Sequence, residues 1–493
     1  MDSQSSSTLT DHSRQAAVFE RLRRGILSGT LAPGVRLPAS RHLAEELGVA
    51  RQTVVLAYER LAAEGYVRAR MGSGTYVATD LPDATPAPGR ASERAAAQCT
   101  NMLSRRGAAI AATPMSAQPV GAAESQLLAP GVPAHDMFPT AAWARETARV
   151  LRALPAQYLG YPDPQGLPEL RVEIAAHLAA TRGLIADPDQ IVVTTGTQQA
   201  LRVAADLVLD PGAPAWVEEP GYIAGRGALI ASGAVPVPVP SDADGIDVAA
   251  GMRLAPDARL ALVAPSHATP LGGALTIGRR FALLDWAAQA GAWVLEDDCD
   301  SEFRWSGKPL PPLASLDPAH GSTGRVIYCG TFSKTLAPAL RLGFAVVPAP
   351  LTGAFVRVRA LTDRGPATLQ QAVLAGFMRA GLLAPHIRRA RTEYARRRIA
   401  LLEALRRHCV QATPYAAPGG LHLVVELARG SHEGKIAAAS RDRGLSVAPL
   451  GAYYSETPQM CGLVLGFATC PVAMAADAAR RLAAAIRAGE RSG

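Results

Sequence analysis

The sequence predicts an α/β chain of several domains: a small three-helix unit closed by a β-hairpin, a linker, a large domain with a mainly parallel sheet, and a smaller C-terminal α+β domain. Three observations carry that expectation. The chain has 493 residues, which at roughly 100–200 residues per domain predicts about three domains. From Phe138 onward, short β-branched runs alternate with amphipathic helical stretches, the pattern of a parallel sheet. Between residues 81 and 127 the composition shifts to Ala, Pro, Ser, Gly and Thr, with few large apolar side chains.

The first domain is expected over 12–80. Gln15–Ser28 carries Ala17, Val18, Leu22, Ile26 and Leu27 at helical spacing, and Gly29 ends it. Ser40 is placed to cap a second helix, RHLAEELG, stopped by Gly48. A third helix, ARQTVVLAYERLAAEG, ends with Gly65 as its C′ residue. YVRARMGSGTYVA reads as two short strands joined around Gly72-Ser73-Gly74. A tight turn between helices two and three, followed by a hairpin, describes a winged helix-turn-helix.

Residues 81–127 read as a flexible linker with room for one short helix. A large domain is expected over 128–350. Its strands are QIVVTTG, APAWVEEP, ARLALVAPS, AWVLEDD, RVIYCGTFS and GFAVVP, and its helices include TQQALRVAADLVL and GRRFALLDWAAQAG. Loops following parallel strands form the site in such sheets. Over 351–493 long Arg-rich helices and late strands (LHLVVEL, LSVAPL, LVLGFA) indicate the smaller domain.

Composition narrows the function. With 48% hydrophobic and 19% charged residues, the chain can bury real cores, which excludes disordered and fibrous classes. Every apolar run is interrupted well before the roughly 20 residues a membrane span needs. The N-terminal MDSQSSSTLTD is polar, so no signal peptide and a cytoplasmic location are expected. The six cysteines are scattered, without C-x-x-C, so neither a disulfide framework nor a metal site is expected. The net charge is +8, a weak pointer to a polyanionic partner.

Two sets of residues carry chemistry. At the start of the third helix, Arg51, Gln52 and Thr53 stand where a recognition helix meets base edges and phosphates. Arg41 opens the preceding helix, whose positive end favours a phosphate, and Gly72 and Gly74 let the wing approach a sugar-phosphate backbone. The second set begins with a compositional oddity: of 50 basic residues only Lys308, Lys334 and Lys435 are lysines. Arginine does not lose its proton to become a nucleophile. Lys308 and Lys435 read as ordinary surface residues. Lys334, in GTFSKTLAPALRLGF, follows a strand, with Thr331, Ser333 and Arg341 nearby as phosphate ligands. Asp297 ends the AWVLEDD strand, Gly196-Thr197-Gln198 opens a helix in the manner of a phosphate cradle, and Tyr222 sits on a turn where a ring could stack on a flat group.

LPASRHLAEELGVARQTVVLAYERLAAEGYVRARMGSGTYV resembles the winged helix of the GntR family of bacterial regulators; Ala50 departs from the Ser usual there. The order of the later segments (YLGYPDPQGLPELRVEIAAHL, EEPGYIAGRGAL, EDDCDSEFR, GTFSKTLAPALRLGF, PHIRRARTEYARRR and GLHLVVEL) resembles fold-type I pyridoxal-phosphate enzymes. Together they are similar to the MocR subfamily, in which a winged helix is joined to an aminotransferase-like domain. The resemblance implies pyridoxal 5′-phosphate held as an aldimine on Lys334. It implies Asp297 on the pyridine nitrogen, Tyr222 stacked on the ring, and Thr197, Gln198, Thr331, Ser333 and Arg341 on the phosphate.

Three departures stand out. Cys299 replaces the usual Tyr that bonds the cofactor's 3′ oxygen, and a thiol is a weaker donor. Thr269 stands where aminotransferases have Asn, and Leu271 where the subfamily has Thr. The strand LVLGFA lacks the Arg that binds a substrate carboxylate, with Arg226 a substitute near Tyr222. The implied function is a pyridoxal-phosphate-dependent transcriptional regulator that binds an operator as a homodimer. It would sense an amine or amino-acid effector, or the cofactor itself. The alternatives are an active aminotransferase carrying a DNA-binding domain, and a regulator whose large domain has lost the cofactor.

Overall fold

The computed structural model describes residues 5–27, 29–70, 74–79, 103–113, 127–307, 311–320, 323–415 and 417–491. It divides into two compact units, 1–102 and 103–493. The first contains α1 (Ser5–Leu27), α2 (Ser40–Leu47), α3 (Arg51–Ala63) and the antiparallel pair β1 (Val67–Arg70) and β2 (Gly74–Val77). Its core joins Val18, Phe19, Leu22 and Ile26 of α1 to Leu43, Val54, Ala57, Leu61, Val67 and Val77.

Helix α1 starts ten residues before the expected Gln15, through a polar stretch with no apolar periodicity to announce it. Ser40 is the first helical residue of α2 rather than its cap. Ala39 holds the cap position, without a side-chain bond. Gly48 ends α2 at φ 63° and Gly65 follows α3 at φ 81°, both left-handed conformations that favour glycine. Gly72 lies outside the described residues.

The second unit opens with α4 (Arg105–Ala112), inside the segment expected to be linker. The Ser104 hydroxyl accepts a hydrogen bond from Gly107 N at 3.0 Å and caps the helix. Arg106 Nε donates to the Ala231 carbonyl at 3.0 Å. That carbonyl lies in the last turn of a helix of the large domain, so α4 is docked rather than free.

The large sheet has eight strands: β3 (Ile191–Thr194), β4 (Pro214–Glu219), β5 (Val235–Asp242), β6 (Gly245–Ile246), β7 (Leu260–Val263), β8 (Trp293–Asp298), β9 (Val326–Thr331) and β10 (Gly343–Val346), ordered β3-β10-β9-β8-β7-β4-β5-β6. The run from β9 to β5 is parallel; β10 is antiparallel to both neighbours, and β6 to β5. Strand β5, VPVPVPSD, escapes the sequence because proline occupies every second position from 236 to 240. Its long pairing is with β4 alone, so prolines are tolerated there as on an edge.

Alternate strand residues face opposite layers. Ile191, Val193, Trp216, Val294 and Phe344 pack with α5 (Pro168–Arg182), while Val192, Val217, Leu262, Leu295 and Ala345 pack with α6 (Thr197–Val208) and α7 (Ile223–Ser232). The smaller domain packs an antiparallel sheet, ordered β11 (Thr413–Tyr415), β12 (His422–Glu426), β14 (Gly462–Gly466), β13 (Ala448–Pro449), against α8 (Leu383–His408), α9 (Glu433–Arg441) and α10 (Ala475–Arg491). Leu127 and Leu128 also belong to this core. Leu128 O accepts from Gly466 N at 2.7 Å and Leu127 O from Ser446 N at 2.8 Å. The segment expected to begin the large domain therefore first straps across the small one.

Candidate functional site

A cavity of about 190 Å³ opens at the strand ends of the large sheet. The fold brings to its wall Thr197, Gln198, Tyr222, Asp297, Thr331, Ser333, Lys334 and Arg341, all eight residues expected there from the sequence. Each arrives by a local cause. Asp297 is carried by the buried end of β8, and Tyr222 caps α7. Gly196 precedes α6 at φ 122°, leaving its first turn open to the cavity. Arg341 adopts the left-handed region at φ 51°, uncommon without glycine. Its guanidinium lies 3.5 Å from where a Cβ on Gly196 would stand.

The electrostatics are uneven. Lys334 Nζ donates to the Gly131 carbonyl, on the strap that follows Leu128. Asp297 is buried, and its pKa rises to about 7: burial penalises its charge, Asp300 and Asp298 add to this, and Lys334 opposes. Its Oδ1 and the Thr197 hydroxyl are buried oxygens without a hydrogen-bond partner among the described residues. Buried polar groups are normally paired, so both atoms call for a group in the cavity. Burial also raises the Tyr222 phenol and the Cys299 thiol. Gln198 has a second use, donating to Ala224 O at 2.8 Å. Ser333 accepts from the Thr331 hydroxyl at 3.0 Å.

Cys299 and Thr269, the two departures expected at the cofactor's 3′ oxygen, both line the cavity. Arg226 does not line it; its guanidinium donates to Ser455 Oγ. The wall also contains Asp300 and His422, which no sequence motif singled out. Asp300 Oδ2 stands 3.4 Å from Nδ1 of the buried His267. Burial would raise the Asp300 pKa, but His267, His422 and Lys334 together hold it below the usual carboxylate range.

Behind the cavity, a buried network fixes the end of β8. Arg182 Nη2 meets Asp298 Oδ2 at 2.8 Å, and the Tyr328 hydroxyl donates to the same oxygen at 2.6 Å. This holds the backbone that presents Asp297. Chemically, the cavity offers an amine, a carboxylate for a protonated ring nitrogen, an aromatic face, and a hydroxyl and guanidinium set for a phosphate.

In the first unit, Arg41, Arg51 and Gln52 are exposed. Thr53 is 4% exposed. It is a buried residue of the first turn of α3. Gly74 has φ 113°, and a Cβ there would lie 2.7 Å from Arg36 Nε. Its glycine thus makes room for the exposed Arg36, a cation beside the wing that no motif singled out.

Residues 127–455 match the aminotransferase class I and II family, and residues 14–77 the gntR family of bacterial regulatory proteins. The chain is 39% identical over 452 residues to the probable rhizopine catabolism regulatory protein MocR of Rhizobium meliloti, covering 92% of this chain and 89% of that one. It is 34% identical over 449 residues to the HTH-type pyridoxine biosynthesis transcriptional regulator PdxR of Corynebacterium glutamicum, with coverages of 91% and 90%. Its fold is similar to that of the α-aminoadipate aminotransferase LysN of Thermus thermophilus, crystallised with N-(5′-phosphopyridoxyl)-L-leucine. The TM-score is 0.71 and the identity 26%, with 80% of this chain and 100% of that one covered.

Proposed function

Because the chain belongs to the MocR subfamily of GntR-family transcriptional regulators, we propose that its aminotransferase-like domain binds pyridoxal 5′-phosphate and uses it to sense an amine-bearing effector, or the cofactor's own supply. The observation that carries this reading is the pair of unpartnered buried oxygens, Asp297 Oδ1 and Thr197 Oγ1, in a wall that also holds Lys334. A carboxyl and a hydroxyl are the groups that a ring nitrogen and a phosphate would engage.

When bound, the group supplies an aldehyde carbon that condenses reversibly with primary amines. Lys334 is the chain's own amine at that point. As a free ammonium, Lys334 has the Gly131 carbonyl as an acceptor. Asp297, neutral for much of the time near pH 7 without a partner, would be held as a carboxylate by a protonated ring nitrogen. Tyr222 would cover one face of the ring. Arg341, Ser333, Thr331, Thr197 and Gln198 would hold the phosphate, the last two from the first turn of α6. Cys299 would give the ring's 3′ oxygen a weaker donor than the family pattern provides, and Thr269 a hydroxyl in place of an amide.

For sensing, the two occupancies must have different affinities for two arrangements of the chain. The reading is of a cytoplasmic homodimer, whose two recognition helices address paired half-sites of an operator. Borohydride reduction after incubation with pyridoxal phosphate, followed by peptide mapping, tests the site. A phosphopyridoxyl group on the Lys334 peptide is expected; an unmodified Lys334 peptide overturns the reading.

A further inference from the structure

We propose that the arginine face of α8 is a second DNA-binding surface, gripping duplex phosphates through the aminotransferase-like domain. Helix α8 runs from Leu383 to His408. Its inner face is apolar or tied down: Ile387, Tyr394, Leu401 and Leu405 are in the small-domain or sheet core. Arg397 is buried against Asp136 and Glu393. The exposed residues include Arg388, Arg389, Arg391, Arg396, Arg406 and Arg407, against a single exposed carboxylate, Glu403. At about 100° per residue, these six arginines and Glu403 fall within one half of the helix circumference. From Arg388 to Arg407 the face extends about 29 Å at roughly 1.5 Å per residue, close to one turn of duplex DNA.

Five of these six arginines have no ion pair among the described residues; Arg396 pairs with Glu393 at 3.3 Å. Arg391 Nε donates to a backbone carbonyl, that of Glu302, at 2.9 Å. Guanidinium groups match phosphate oxygens in geometry and charge. Charge distribution favours DNA as the occupant. Residues 1–80 contain ten arginines and eight acids, whereas residues 81–493 contain 40 basic and 34 acidic side chains. Most of the chain's basic excess therefore lies outside its gntR unit, although that unit is what brings the protein to DNA. Once the gntR unit is bound, even weak phosphate contacts by α8 act at high effective concentration. A second copy of the same face is disfavoured, because like charges would meet.

The test uses the full chain and labelled mixed-sequence duplex DNA, with affinity measured by fluorescence anisotropy across a salt series. The variant combines Arg388→Gln, Arg389→Gln and Arg406→Gln. Each neutralised phosphate contributes about 0.9 to the slope of log K against log salt, so the variant should lose about 2.7 from that slope. It should also bind at least about tenfold more weakly at low salt. The corresponding Lys variants should retain most of the slope. A control combining Arg253→Gln, Arg429→Gln and Arg441→Gln removes the same charge from other exposed positions. An unchanged slope in the α8 variant overturns the proposal, as does an equal loss in the control. A change of oligomeric state in the α8 variant also overturns it, since the face would then be covered by another copy. Cofactor absorbance, read in the same samples, reports separately on the Lys334 site.

Discussion

Asp298 shows how a residue outside the cavity governs one inside it. It shares β8 with Asp297, and its carboxylate is held by Arg182 and the Tyr328 hydroxyl. Both ends of the Arg182–Asp298 pair are nearly inaccessible, at 7% and 1% of the side-chain surface. Removing one partner of such a pair leaves an uncompensated charge, which costs about 3–5 kcal/mol. Arg182→Met is therefore expected to lower the stability of the large domain by that amount in denaturant titration, and to weaken pyridoxal-phosphate binding with it. A loss below about 1 kcal/mol would place the pair among weak surface bridges. Lys334 and Asp297 were legible in the sequence because few residue types perform their chemistry. Asp300 and Arg36 were not, because a common charged residue acquires a role only from what the fold sets beside it.

At the scale of elements, α3 is a helix whose beginning and flank serve different purposes. Val54, Ala57, Tyr58 and Leu61 are buried in the unit's core, while Arg51 and Gln52 are exposed at its first turn. Tyr58 also donates to Pro38 O at 2.8 Å, anchoring the loop that enters α2. Arg51→Ala should leave this packing intact and weaken operator binding at least about tenfold, the scale of a lost base or phosphate contact. Retained binding in a gel-shift assay with promoter DNA would remove Arg51 from the interface. Strong local signals made α2, α3 and the hairpin readable: apolar spacing, Gly48, Gly65 and the paired wing strands. Strand β5 and helix α4 were not readable by the same means. The prolines of β5 are acceptable only because most of that strand pairs on one side, and α4 is fixed by Ser104 and by the carbonyl of Ala231, 125 positions from Arg106.

On the scale of the whole molecule, the large domain encloses more carboxyl groups than its buried cations neutralise. Burial raises Glu218 to about 8, and Glu296 and Asp297 to about 7. Each therefore keeps its proton in the folded chain over a pH range where the unfolded chain has released it. Their stabilising contribution is complete below the ordinary carboxylate range and is lost as pH rises through 7 to 8. The cofactor-free protein should melt at lower temperature as pH is raised from about 5 to about 7.5, losing up to roughly 1.4 kcal/mol per pH unit for each such group. A midpoint that rises over that interval would show that these carboxyls are paired. Residue order alone predicted the two-part architecture, the alternating layers and eight residues that line the cavity, because periodicity and side-chain chemistry are local properties. Tertiary structure decided which oxygens lack partners, that the segment around Leu127 and Leu128 straps across the small domain, that Thr53 is buried, and that the arginines of α8 share one exposed face. Those outcomes depend on distances between residues far apart in the chain, which no local pattern encodes.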